Sequence, residues 1–150
     1  MSQVLDFLKS EGILSEVSLG ILLNYMQRYQ KDPFLALLDC HVLEEGLLAD
    51  LISKKMAIDR IYSLVDYRID MQALMKIPWD QAVTHNCVAI SFASSKGALE
   101  VVFSDPSNKS TVEHIQSLFE FQVIPVVAEA GAIRSVISKY YPIEVQLGFS

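Results

Sequence analysis

LKSEGILSEVSLGILL at residues 8–23 and LLDCHVLEEGLLADLI at residues 37–52 superpose at an offset of 29 residues. Leu8 falls on Leu37, Ile13 on Val42, Leu14 on Leu43, Leu19 on Leu48, Leu22 on Leu51 and Leu23 on Ile52, so the stretch is an internal duplication. Apolar positions recur at three and four residues, and Pro33 is the only proline in the first 66. Each copy therefore predicts a short helix, a turn and a longer helix. Gly12 supplies a left-handed C-cap in the first copy, and Ser15 supplies an N-cap hydroxyl to the next helix. A helical hairpin of this size cannot bury its apolar stripe alone, so the two copies are expected to pair into a four-helix layer.

From about residue 67 the pattern changes. A linker and short helix are expected over 69–77, and Pro78-Trp79-Asp80 opens another helix through Thr84. The β-rich runs 88–93 and 99–103, separated by Ser94-Ser95-Lys96-Gly97, predict an antiparallel hairpin. A polar break at 104–108 precedes an amphipathic helix from Ser110 or Thr111 to Glu120, a third strand over 122–127 and a last helix over 129–140. The expected class is α+β: a subdomain of two tandem helical repeats (1–66) packed on a β-β-α-β-α sandwich with a three-stranded sheet (67–142). Residues 143–150 are expected as a tail or linker. No Gly/Ser-rich stretch separates the two subdomains, so a shared apolar interface is expected to hold them.

Composition narrows the function classes. The chain has 150 residues, is 51% apolar, and carries 12 Lys plus Arg against 18 Asp plus Glu, a formal charge of −6. That balance opposes a phosphate-backbone binder, so no nucleic-acid partner is expected. Mean hydropathy is +0.31, yet no apolar run approaches the ~18 residues of a spanning helix. The first ten residues carry Asp6 before their only lysine and lack the basic start of a secretory signal. Two cysteines, Cys40 and Cys87, suit a reducing compartment, and the expected location is cytoplasmic.

None of the six glycines stands in a P-loop or dinucleotide-binding frame, and no enzyme activity is expected. Cys40-His41 with His85-x-Cys87 offers zinc-type donor atoms, but the spacing within each pair is too short for the usual arrangement. Buried structural cysteine is the plainer reading. Asp105-Pro106 with Asn108 reads either as a loop that contacts a partner or as a turn followed by an N-cap. Trp79 reads as a first-turn anchor against the sheet or as a partner hot spot. Glu44-Glu45, Lys54-Lys55, Glu113 and His114 read as solvated faces. No catalytic, cofactor-binding or metal-ligating set emerges, no cofactor is expected, and no partner-binding residues can be singled out.

Several blocks resemble the N-terminal domain of type II secretion and type IV pilus assembly ATPases, the MshEN-like superfamily with its cyclic di-GMP-binding branch. They are 73–78 (ALMKIP), 88–90 (VAI), 99–108 (LEVVFSDPSN), 123–128 (VIPVVA) and 133–141, ending Lys139-Tyr140-Tyr141. The tandem helical repeats extend the likeness to nearly the whole chain. The resemblance implies a domain that docks a motor to the cytoplasmic domain of an inner-membrane platform protein, the nucleotide chemistry belonging to another domain. A homo-oligomerising structural domain is a further alternative.

The ligand-binding branch opens each repeat with Arg-Leu-Gly. Here the corresponding residues are Gln3-Val4-Leu5, then Leu8 and Gly12, and Asp32-Pro33-Phe34, then Leu37 and His41. Both arginines are missing. A dianionic dinucleotide needs cations or approachable backbone N–H groups; Asp32 repels it, Pro33 lacks the N–H and Phe34 blocks approach. Cyclic di-GMP sensing is thus the alternative these residues disfavour.

Overall fold

The structure, a computed structural model, describes residues 2–93 and 97–148. Both repeat copies fold as expected. Helix α1 (Gln3–Ser10) and α2 (Glu16–Tyr29) form the first copy, α3 (Pro33–Asp39) and α4 (Glu45–Met56) the second. Ser2, Ser15 and Asp32 cap α1, α2 and α3, each side chain accepting a backbone N–H from the first turn.

The duplication extends to the connecting turn. Gly12 (φ 74°) and His41 (φ 53°), 29 residues apart, both lie in the left-handed region. Ile13 N donates to Leu8 O, and Val42 N donates to Leu37 O, both at 3.0 Å, so the same helix stop is built with and without glycine. Val4, Leu5, Leu8, Leu14, Leu19 and Leu22 from the first copy share one core with Phe34, Leu37, Leu48, Leu51 and Ile52 from the second.

Burial does not repeat as faithfully as sequence. Leu23 is 45% exposed while its counterpart Ile52 is fully buried. Helix α4 packs against α1 and against strand β3 (Gln122–Val127), whereas the principal neighbour of α2 is α3. A duplicated stripe becomes core only where something covers it.

The second unit contains α5 (Met71–Leu74), α6 (Trp79–His85), β1 (Cys87–Ala93), β2 (Ala98–Phe103), α7 (Lys109–Gln116), β3 and α8 (Ala130–Tyr140). Strand order is β1-β2-β3; β1 and β2 are antiparallel with a bulge between Ala89 and Ser91, and β2 and β3 are parallel. The hairpin turn expected at Ser94-Ser95-Lys96-Gly97 lies, for its first three residues, outside the described residues.

Helix α7 stops at Gln116, four residues short of the expected Glu120. The Gln116 side chain turns instead to the sheet: its Oε1 accepts Val123 N at 2.8 Å and its Nε2 donates to Phe121 O at 2.8 Å. The outer edge of β3 is thereby closed to further pairing. Val123 N is satisfied by Gln116, position 125 is proline, and Val127 N donates to Asp59 O at 3.0 Å. Arg60 bridges Val127 in parallel fashion, so the sheet reaches into the segment after α4.

The segment after Pro142, expected as a tail or linker, is helical from Ile143 to Gln146 (α9). Gln146 Nε2 fastens it by donating to Tyr141 O at 2.8 Å. Among the described residues, no helix is long and apolar enough to cross a membrane.

Candidate functional site

The two units meet at a cleft of about 950 Å³. On the helical side it is lined by the first turns of α1 and α3, through Ser2, Gln3, Asp6 and Asp32-Pro33-Phe34. These include the positions where the ligand-binding branch carries its arginines. On the other side stand the end of α6, the loop after β2, the start of α7 and one face of α8. The β2 loop and the start of α8 both follow carboxyl ends of the parallel strands β2 and β3, the usual mouth of a parallel sheet.

Local chemistry builds the sheet side. Asp105 Oδ1 accepts Ser107 N at 3.2 Å and the Ser107 hydroxyl, and Asn108 caps α7 by accepting Thr111 N at 3.3 Å. The turn-and-cap reading of Asp105-Pro106 with Asn108 therefore describes this loop, which also carries Asp105 into the cleft. Burial pushes the Asp105 carboxyl above its ordinary pKa of 3.8; the Ser107 bonds oppose this and the charge of Asp32 adds to it.

His85 at the end of α6 also lines the cleft. Its ring lies 4.9 Å from that of His114 on α7, and burial followed by the charge of His114 holds its pKa below 6.5. His114, expected as a solvated residue, also meets Gln81 Oε1 at 2.7 Å.

The remaining sequence candidates are dispersed. Cys40 is the half-buried C-cap of α3, while Cys87 is fully buried at the start of β1, where burial pushes its thiol up to about 12. Among the described residues, no group of three or more His, Cys, Asp or Glu is gathered to hold a metal. Trp79 starts α6 half-buried against the core of the second unit.

Two of the charge runs expected as solvated faces have structural partners. Glu45 Oε1 accepts Gly131 N at 3.1 Å and lies 3.7 Å from Arg134, tying α4 to α8, and Lys55 pairs with Glu11 at 2.6 Å. The residue that sequence reasoning missed altogether is Arg60. Its side chain is 6% exposed and sits 4.0 Å from the centre of the Tyr62 ring. Nε lies 2.6 Å from Asp50 Oδ1 as an ion pair without hydrogen-bond alignment, and Nη2 donates to Gly46 O at 3.3 Å. An isolated arginine in a short inter-helix segment carries no spacing signal, since its partners lie on α4 and beside α8.

Comparison with known proteins agrees with this architecture. The model of the MshEN domain matches residues 59–147. A structure of MshE with cdg is similar at TM-score 0.74 and 21% identity, covering 94% of this chain and 100% of that one. The N-terminal domain of XpsE is similar in one crystal form at TM-score 0.74 and 12% identity, over 93% of this chain and 94% of that one. In its I4122 form the values are 0.60, 11%, 93% and 95%. No curated protein matches the chain. With the family model spanning more than half of its length, from Asp59 beside β3 to the end of α9, the chain belongs to the MshEN domain family, whose known members include N-terminal domains of secretion and pilus ATPases.

Proposed function

We propose that this domain is a non-catalytic, cytoplasmic docking module that couples an ATPase motor of a secretion or pilus system to the cytoplasmic domain of an inner-membrane platform protein. The observation that carries the reading is the outer face of α2. Only Leu19 and Leu22 of its 14 residues are buried, while Val17 is 75% and Ile21 65% exposed. Helical geometry sets Val17, Gly20, Ile21 and Asn24 on one side, and the space beside the Gly20 Cα is open. Apolar side chains beside a glycine allow close approach of another backbone.

A pull-down against the platform's cytoplasmic domain tests this. The chain is expected to bind, and Val17→Asp with Ile21→Asp to abolish binding while leaving thermal unfolding unchanged. No capture in the high micromolar range would end the reading. Light scattering at two concentrations should show a monomer, against the homo-oligomer alternative.

The cyclic di-GMP alternative fits these residues poorly. At the motif positions the cleft presents Gln3, Asp32, Pro33 and Phe34, none of them cationic. Titration with cyclic di-GMP is expected to give no thermal shift, whereas a ligand at 100 times its dissociation constant would add ~2.7 kcal/mol.

A further inference from the structure

The repeat has two equivalent helix faces, and the chain itself covers one of them. On α4, Glu45, Gly46, Ala49, Ile52 and Ser53 lie on one side of the helix, and all of them are buried or half-buried. Their counterparts 29 residues earlier on α2 are Glu16, Val17, Gly20, Leu23 and Asn24, and all of these are exposed.

The α4 face is covered by the end of β3 and the first turn of α8, with Arg60 at its edge. Ala49 and Ile52 share an apolar cluster with Val127 and Ala130. Gly46 makes room for the Glu129 carboxylate, since a Cβ at Gly46 would meet Oε1 at 2.7 Å. Glu129 is the N-cap of α8 but makes no side-chain capping bond. The cap comes from across the boundary: Glu45 Oε1 accepts Gly131 N at 3.1 Å, a first-turn N–H that has no partner within its own helix. A strand end that turns into a helix start is the shape this face accepts.

We propose that the α2 face takes the same kind of element from a partner protein, a strand end turning into a helix whose first-turn N–H is capped by Glu16. This rests on the docking reading above and names the element that the partner presents there. Glu16 keeps the carboxylate of Glu45, and its ion pair with Lys9 at 2.9 Å parallels the Arg134 contact that Glu45 holds while capping. Two differences between the copies set the partner's chemistry. Val17 stands where Gly46 admits Glu129, so the partner's helix cap is a small residue. Ile21 stands where Asp50 pairs with Arg60 at 2.6 Å, so an apolar side chain takes the place of the arginine. Gly20, in place of Ala49, lets the incoming backbone approach at least as closely. A second copy of this chain cannot offer the segment, because Val127 and Ala130 are already buried in its own boundary.

Calorimetric titration of the intact chain with the platform's cytoplasmic domain tests this. Glu16→Gln should weaken binding by about fivefold. Gly20→Leu should weaken it by about tenfold or more, as a bulky side chain holds the incoming backbone away. Glu144→Gln, on α9, should leave it unchanged. Thermal unfolding checks that the two faces are equivalent but differently filled. Gly20→Leu replaces a mid-helix glycine with open space beside it and should hold or raise Tm, whereas Ala49→Leu should lower it. No binding by the wild-type chain ends the docking reading and this inference with it. Wild-type binding that survives Glu16→Gln or Gly20→Leu keeps the reading and overturns the inference. Equal weakening by Glu144→Gln, or a fall in Tm with Gly20→Leu, overturns it as well. So does a concentration-dependent mass in light scattering that Gly20→Leu abolishes, which would assign the face to a second copy.

Discussion

Asp105 shows how one side chain serves the fold at a cost. It shapes the loop through Ser107, but burial and Asp32 disfavour its charge and raise its pKa. The folded state therefore holds the proton more tightly than the unfolded chain. That contribution to stability is complete below pH 3.8 and is lost as pH rises through the folded pKa. Asp105→Asn should accordingly raise Tm at neutral pH, and the gap from wild type should close towards pH 3.8; a lower Tm at pH 7 would contradict this account. His85 has the opposite sign. Its depressed pKa gives stability that is complete above pH 6.5 and lost as pH falls through the folded value. Scanning fluorimetry below pH 6.5 should show Tm falling less in His85→Gln than in wild type. The turn and cap roles of Asp105 and Asn108 were legible in residue type alone, because such capping is local. Their meeting with Asp6, Asp32 and His85 was not, since these arrive from three other places in the chain.

At the scale of elements, the repeat offers a controlled comparison of one helix stop built twice. Gly12 holds φ 74° at little cost, and a Cβ there would meet nothing within 4 Å, so only backbone preference is at stake. His41 adopts φ 53° with a side chain that disfavours it. Gly12→Ala should destabilise the protein by about 1 kcal/mol, and His41→Gly should stabilise it by about 0.5–1 kcal/mol, measured by urea unfolding. Changes of the same sign would refute the shared-stop interpretation. Periodicity and cap residues were sufficient to place these helices because both act over one or two turns. The end of α7 was not readable: residues 117–120 continue a helix-compatible pattern, and the competing demand comes from Val123 N at the sheet edge, seven residues beyond Gln116.

For the molecule as a whole, the decisive feature is that the units share a core. Val127 of β3 and Ala130 of α8 belong to the apolar cluster of the helical repeats. Arg60 ties the same boundary, bonding α4 through Gly46 O and lying 3.6 Å from Glu129 beside α8. Its carboxylate partners are half-exposed, so solvent screens much of the ion pairing, but the part-buried Gly46 carbonyl would lose the guanidinium's hydrogen bond. Arg60→Ala should cost about 2 kcal/mol in chemical unfolding and make the 57–61 segment a site of protease cleavage. The wild-type chain should unfold in one transition; release of two stable pieces by limited proteolysis would show that the shared core does not couple the units. By itself, the sequence determined the duplicated hairpins, the order of strands and helices after residue 67 and the lack of a phosphate-binding arginine in the repeats. These follow from periodicity, capping and residue chemistry, which act over short stretches of chain. Only the tertiary structure decided which copy's stripe is covered, which charges tie the units, and that three carboxylates converge on one cleft, because each depends on which surfaces meet across residues far apart in the chain.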